Sequence, residues 1–139
     1  MYVTEECLNH SKRLHRLFLH VIGLQNEVVR PDRDTYIEIN EDNVDPRFKH
    51  YLKVCEDCPT YGEYDPESVL HFPSDVFTLN GADTITVGKK LHNLDFQNMH
   101  LGLNDKMSEK DAMKIRQMYG CTQRKCKFCN TLFNHVGII

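Results

Sequence analysis

Apolar residues recur at helical spacing near the start of the chain. Leu14, Leu17, Phe18, Val21 and Ile22 predict one face of a helix over residues 4 to 23. Thr4 suits its N-cap, Glu5 and Glu6 its first turn, and Gly23 its C-terminal stop. The charged turn Arg30-Pro31-Asp32-Arg33-Asp34 follows. Tyr36-Ile37-Glu38-Ile39-Asn40 alternates apolar and polar positions, the period of a short strand or extended segment. Residues 46 to 53 predict a short amphipathic helix with Phe48, Tyr51 and Leu52 on one side. Further on, Ser108 is a good N-cap with Glu109 and Asp111 in the first turn behind it. Met107, Ala112, Ile115, Met118 and Tyr119 form a stripe that predicts core packing.

Composition adds bounds. The chain has 139 residues, the size of one domain or a piece of one. Hydrophobic residues make up 40%, a little under the usual range. With 17 basic and 20 acidic residues, the net charge of −3 gives no basic footprint for nucleic acid. No apolar run approaches membrane-spanning length. Met1 to Glu6 carries no signal peptide, yet six cysteines in so short a chain point to an oxidising compartment. Those two observations pull in opposite directions.

The stretch Arg16-Leu17-Phe18-Leu19-His20-Val21-Ile22-Gly23-Leu24-Gln25-Asn26-Glu27, with Arg30-Pro31-Asp32-Arg33-Asp34 after it, resembles the zinc-binding helix of the astacin metalloproteases. That family's motif is H-E-x-x-H-x-x-G-x-x-H-E, usually followed by R-P-D-R-D. His20 matches the second histidine, Gly23 the glycine and Glu27 the trailing glutamate. Arg16 stands at the first histidine, Leu17 at the catalytic glutamate and Asn26 at the third histidine. The resemblance continues through Tyr36 to Val44, which follows the family pattern R-P-D-R-D-x-Y-V-x-I-N-x-x-N-I. Tyr64 to Phe72 is similar to the family's methionine turn, Y-D-Y-x-S-x-M-H-Y, with Leu70 at the methionine and Phe72 at the zinc-proximal tyrosine. Phe77, Asn80-Gly81 and Thr84-Ile85 continue its hairpin-like loop. Leu101-Gly102, Met107-Ser108, Asp111, Ile115, Met118-Tyr119 and Cys121 follow its closing stretch.

The chemistry that the motif serves is specific. Catalytic zinc takes three protein ligands and keeps one position open for water. Histidines at i and i+4 share a helix face, the glycine turns the chain sharply, and the glutamate takes a proton from the bound water. Here only His20 remains of the ligands. Arg16 is a permanent cation and Leu17 accepts no proton. His15 is no substitute: five residues from His20, it lies about 500° round the helix, roughly 140° off a common direction. Without the family frame, His10, His15 and His20 are ordinary helix composition. Leucine for methionine keeps volume and apolar character at the turn. Phenylalanine for tyrosine removes the hydroxyl that the family uses near the metal.

The cysteines leave two readings. Cys7 and Cys121 match family cysteines that bond to partners upstream. Cys55-Glu56-Asp57-Cys58 and Cys126-Lys127-Phe128-Cys129 are two C-x-x-C pairs, which suit disulfides or a structural zinc site. The long interval between them and the acidic Glu56 and Asp57 favour disulfides, and six cysteines allow 15 pairings.

The resemblance implies an α+β astacin-like metzincin fold, mostly its lower lobe: the zinc-motif helix, the methionine-type turn and the terminal helix. Residues 1–121 read as a partial astacin-like peptidase domain and 122–139 as a cysteine-containing tail with no assigned role. On that reading the upstream half of the domain, and any signal and propeptide, precede this chain, which reconciles its secreted habit with its start. The expected function is a non-catalytic pseudoprotease or binding module for a protein or peptide. The alternatives are a zinc endopeptidase, as in the rest of the family, and a truncated, non-functional gene product. Zinc is the family's cofactor, and none is expected at the degenerate site. The oligomeric state stays open.

Overall fold

The computed structural model describes residues 10–88 and 101–121. Helix α1 spans Ser11–Val21. It starts later than the periodicity predicts, because His10 has extended backbone (φ −116°, ψ 98°) and no side chain caps the first turn. Thr4, Glu5 and Glu6 lie outside the described residues, as do Cys7, Cys126, Cys129 and the tail 122–139. The covered face also differs from the predicted one. Leu19 is buried at 1% exposure, while Phe18 and Val21 remain 58% and 59% exposed. Periodicity marks an apolar stripe, but the helix is turned so that Lys12 and Arg16 reach backbone carbonyls of other segments. Gly23 ends the helix with φ +104°, a conformation that costs a residue with a Cβ. A Cβ there would also lie 2.6 Å from Met118 Cε.

Beyond Gly23 the chain runs in short pieces. Single 3₁₀ turns cover Glu27–Val29 and Arg33–Thr35. Strand β1, Ile37–Ile39, pairs antiparallel with strand β2, Ile85–Val87, in the register Ile37 to Val87, Glu38 to Thr86 and Ile39 to Ile85. A lone bridge joins Val44 to Thr78. The predicted helix over residues 46 to 53 is only a 3₁₀ turn, Lys49–Leu52. Its apolar residues part company. Leu52 enters the core, whereas Tyr51 stays 51% exposed and stacks on Phe77. The core around the sheet gathers Val28, Ile37, Val44, Leu52, Tyr64, Ile85 and Leu101.

Helix α2 spans Glu109–Met118 and opens with a capping box: Ser108 Oγ accepts from the Asp111 amide, and Asp111 accepts from the Ser108 amide. A second core joins the two helices to the 64–72 turn. Leu19, Leu24, Val69 and Leu70 are buried, with Ile22, Met107, Ile115 and Met118 packed on them. Tyr119 departs from the predicted stripe. It is 58% exposed, and its hydroxyl donates to the Ile22 carbonyl at 2.7 Å, beside the end of α1. The rest of the stripe packs as expected, and Asp111 and Lys114 are buried on the same helix beside Ala112.

Candidate functional site

The 64–72 turn passes beneath α1, and Leu70 fixes it there. Its side chain is 1% exposed among Leu19, Leu24 and Val69, and its carbonyl accepts from the Glu27 amide at 3.3 Å. Arg16 projects from α1 towards this turn. One terminal guanidinium nitrogen donates to the His71 carbonyl at 3.1 Å, the other to Asn26 Oδ1 at 2.8 Å. Its plane lies over the Phe72 ring, 4.7 Å from the centroid, within cation–π range. The structure therefore joins three positions that the sequence singled out separately: Arg16, Asn26 and Phe72. Burial lowers the Arg16 pKa from its ordinary value.

His20, one turn after Arg16, sits on the exposed side, with Nδ1 2.9 Å from the Leu24 carbonyl. A carbonyl oxygen only accepts, so Nδ1 is the donor in this contact. Leu17 is half-buried and brings no polar atom. One turn before Arg16, the Lys12 ammonium donates to the Gly102 carbonyl. Burial is the main cause lowering the Lys12 pKa; Asp105 raises it and Arg16 lowers it. Gly102 lies hard against the turn. At φ +61°, a Cβ there would fall 2.4 Å from the Phe72 carbonyl carbon.

Polar groups beneath the site hold its floor. Tyr64 donates its hydroxyl to His71 Nε2 at 2.7 Å, and His71 Nδ1 donates to the Phe72 carbonyl at 2.6 Å. Burial pushes the His71 pKa down to about 4 and the Tyr64 pKa up, so both stay neutral near pH 7. Glu27 is 2% exposed. Its carboxylate meets the Lys114 ammonium at 2.6 Å, the Asp65 amide at 2.9 Å and an Arg30 nitrogen at 3.5 Å. Arg30 in turn holds Asp32 through two bonds of 2.8 Å. Asp111 takes Ser68 Oγ at 2.5 Å, which ties α2 to the turn. Sequence reasoning missed Lys12, His71 and Lys114. The partners of Lys12 and Lys114 come from distant segments, so no local pattern marks them, whereas His71 lies within the 64–72 motif beside its partners Tyr64 and Phe72.

Cys55 and Cys58 form a disulfide with Cα atoms 5.3 Å apart, so neither offers a thiolate to a metal here. Among the described residues no group of three or more His, Cys, Asp or Glu side chains stands together as a metal site, and no helix is long and apolar enough to cross a membrane.

The family profile described as Astacin, a peptidase family, matches residues 1–120. Zinc metalloproteinase nas-14 of Caenorhabditis elegans is 33% identical over 121 residues, spanning 84% of this chain and 22% of that protein. Seminal metalloprotease 1 of Drosophila melanogaster is 31% identical, over 84% of this chain and 45% of that protein. Among solved structures, high choriolytic enzyme 1 of Oryzias latipes, a hatching enzyme zinc-protease, superposes with a TM-score of 0.68 and 28% identity. That match covers 80% of this chain and 53% of the other. The chain thus spans less than half the length of these two curated relatives.

Proposed function

The chain belongs to the astacin family, and from that premise we propose that it is a non-catalytic member, a pseudoprotease whose former metal face binds a protein or peptide. One observation carries the proposal: the guanidinium of Arg16 donates to Asn26 Oδ1, so the residues at two of three ligand positions bond each other. Zinc takes thiolate, imidazole or carboxylate donors. Arginine offers no lone pair and a fixed positive charge, and Asn26 spends its amide oxygen on that charge. His20 is left as a single imidazole. The donor set does not fit a catalytic zinc, and no carboxylate stands at Leu17 to take a proton. Leu70 and Phe72 complete the replacement while keeping the turn packed. The Cys55–Cys58 disulfide supports an oxidising, secreted setting. A partial domain over residues 1–121 with a separate tail remains our division of the chain.

Family membership and the retained His20, Gly23 and Glu27 favour the other reading, a zinc endopeptidase. Fluorogenic peptide turnover with added zinc separates the two. We expect none from the wild type, nor from Leu17→Glu, whose carboxylate would lie beside Arg16. General-base help worth about 10²–10⁴-fold needs an activated water to act on. Turnover by the wild-type chain, abolished by a chelator and by His20→Ala, overturns the proposal.

A further inference from the structure

We infer that Arg16 anchors a carboxylate-binding site, and that its occupant is an acidic side chain of a peptide or protein partner. The inference rests on the non-catalytic reading above and names the ligand for that same face. Arg16 is a half-buried cation whose described partners are both uncharged, a backbone carbonyl and an amide oxygen. No carboxylate of the described residues forms an ion pair with it, and nothing offsets the lowering of its pKa by burial. Taking a charge out of water without a counterion is unfavourable, and a carboxylate relieves that cost with charge-assisted bonds.

The guanidinium is also already aimed. Phe72 covers one face at 4.7 Å, while His71 and Asn26 each take a single bond from the terminal nitrogens. The remaining N–H groups have no partner among the described residues, and they point in the plane where a planar carboxylate binds a fork. Lys12 adds a second charge one turn away on the same helix face, with its ammonium held at the Gly102 carbonyl. Like charges at this spacing repel; Arg16 lowers the Lys12 pKa, behind burial and against Asp105, which raises it. An anion lodged between them relieves the repulsion. A polyanion such as nucleic acid is disfavoured by the net charge of −3. One fork beside an aromatic wall matches a Glu or Asp side chain among neutral neighbours.

The test uses the full chain and two fluorescein-labelled peptides with amidated ends, Gly-Ala-Glu-Asp-Glu-Ala-Gly and its neutral counterpart Gly-Ala-Gln-Asn-Gln-Ala-Gly. Fluorescence anisotropy at low ionic strength should show the acidic peptide binding at least about tenfold tighter than the neutral one. Arg16→Gln should weaken it by about tenfold or more, Arg16→Lys by less, and Lys53→Gln, which removes one exposed charge elsewhere, by less than about twofold. Equal affinity for the two peptides overturns the inference on the unmodified chain alone, whether or not Arg16→Gln folds. So does an equal loss with Lys53→Gln, or binding of inorganic phosphate or a single-stranded oligonucleotide in preference to the acidic peptide. Absent binding together with absent peptide turnover sinks this inference and leaves the non-catalytic reading standing; turnover of the probe sinks that reading instead.

Discussion

Replacing Lys114 by methionine keeps the length of the side chain and deletes the ammonium that faces Glu27. The two side chains are each 3% exposed, and Nζ lies 2.6 Å from Oε1. Removing one partner of such a pair leaves the other charge buried without compensation, which typically costs about 3–5 kcal/mol. Two neighbours moderate the loss. The Asp65 amide still donates to Glu27 at 2.9 Å, and Arg30 stands 3.5 Å away, although Asp32 engages it more closely. The expected cost of Lys114→Met is therefore about 3 kcal/mol, a large share of the roughly 5–15 kcal/mol that holds a domain together. Glu27→Gln alone should cost a similar amount by stranding the lysine. The double change Glu27→Gln with Lys114→Met should cost less than either, since no unpaired charge remains, which requires a coupling of more than about 3 kcal/mol. Urea unfolding followed by far-UV circular dichroism, without reductant so that Cys55–Cys58 stays closed, reads all four proteins. Costs under about 1 kcal/mol for the single changes, or singles that simply add in the double, would refute the reasoning.

Acid should destabilise the fold through His71. Its pKa is depressed in the folded state to about 4 against 6.5, so the unfolded chain binds the extra proton first. Stability is then full above pH 6.5 and falls as the pH drops towards 4, by at most about 3 kcal/mol. Melting temperatures across that range should flatten in His71→Gln; an unchanged slope would assign the loss to other groups. Gly102→Ala should cost about 2–4 kcal/mol, because φ +61° and a contact of 2.4 Å to the Phe72 carbonyl carbon must both be relieved. A urea midpoint equal to wild type would show that the segment shifts freely.

What could be read without coordinates was the local and the patterned. Ser108 with Asp111 three residues on is a cap that sequence alone identifies, and α2 begins there. Ile37 to Ile39 alternates, and it is β1. Gly23 closes α1 as expected. The misses are non-local. Phe18 and Val21 share a helical stripe with Leu14, but periodicity does not say which face a neighbour covers; that is set by where Lys12, Arg16 and Leu19 find partners. Tyr119 was placed inside because it follows the α2 stripe, whereas its hydroxyl carries it to the Ile22 carbonyl. At the site, Arg16 and Asn26 were both singled out, yet their bond to each other depends on the turn at Gly23 and the underlying Leu70. Lys114 was hidden altogether, since a lysine on an amphipathic helix reads as solvated until its distant carboxylate is known.

The Glu27–Lys114 contact spans 87 positions of the chain, and the Ser68–Asp111 and Asp65–Ser108 bonds span 43 each. Among the described residues between them lie turns and two strands of three residues, with little local structure on which a nascent chain can nucleate. During synthesis, every segment up to Leu101 is made before the ammonium and the cap that complete its buried polar groups. Native docking therefore waits for α2, and until then Glu27 and the 64–72 turn face water. High contact order of this kind makes for slow folding and a long exposed interval. A chain that stopped before Lys114 would keep the framework of the site but leave the Glu27 carboxylate without its ammonium.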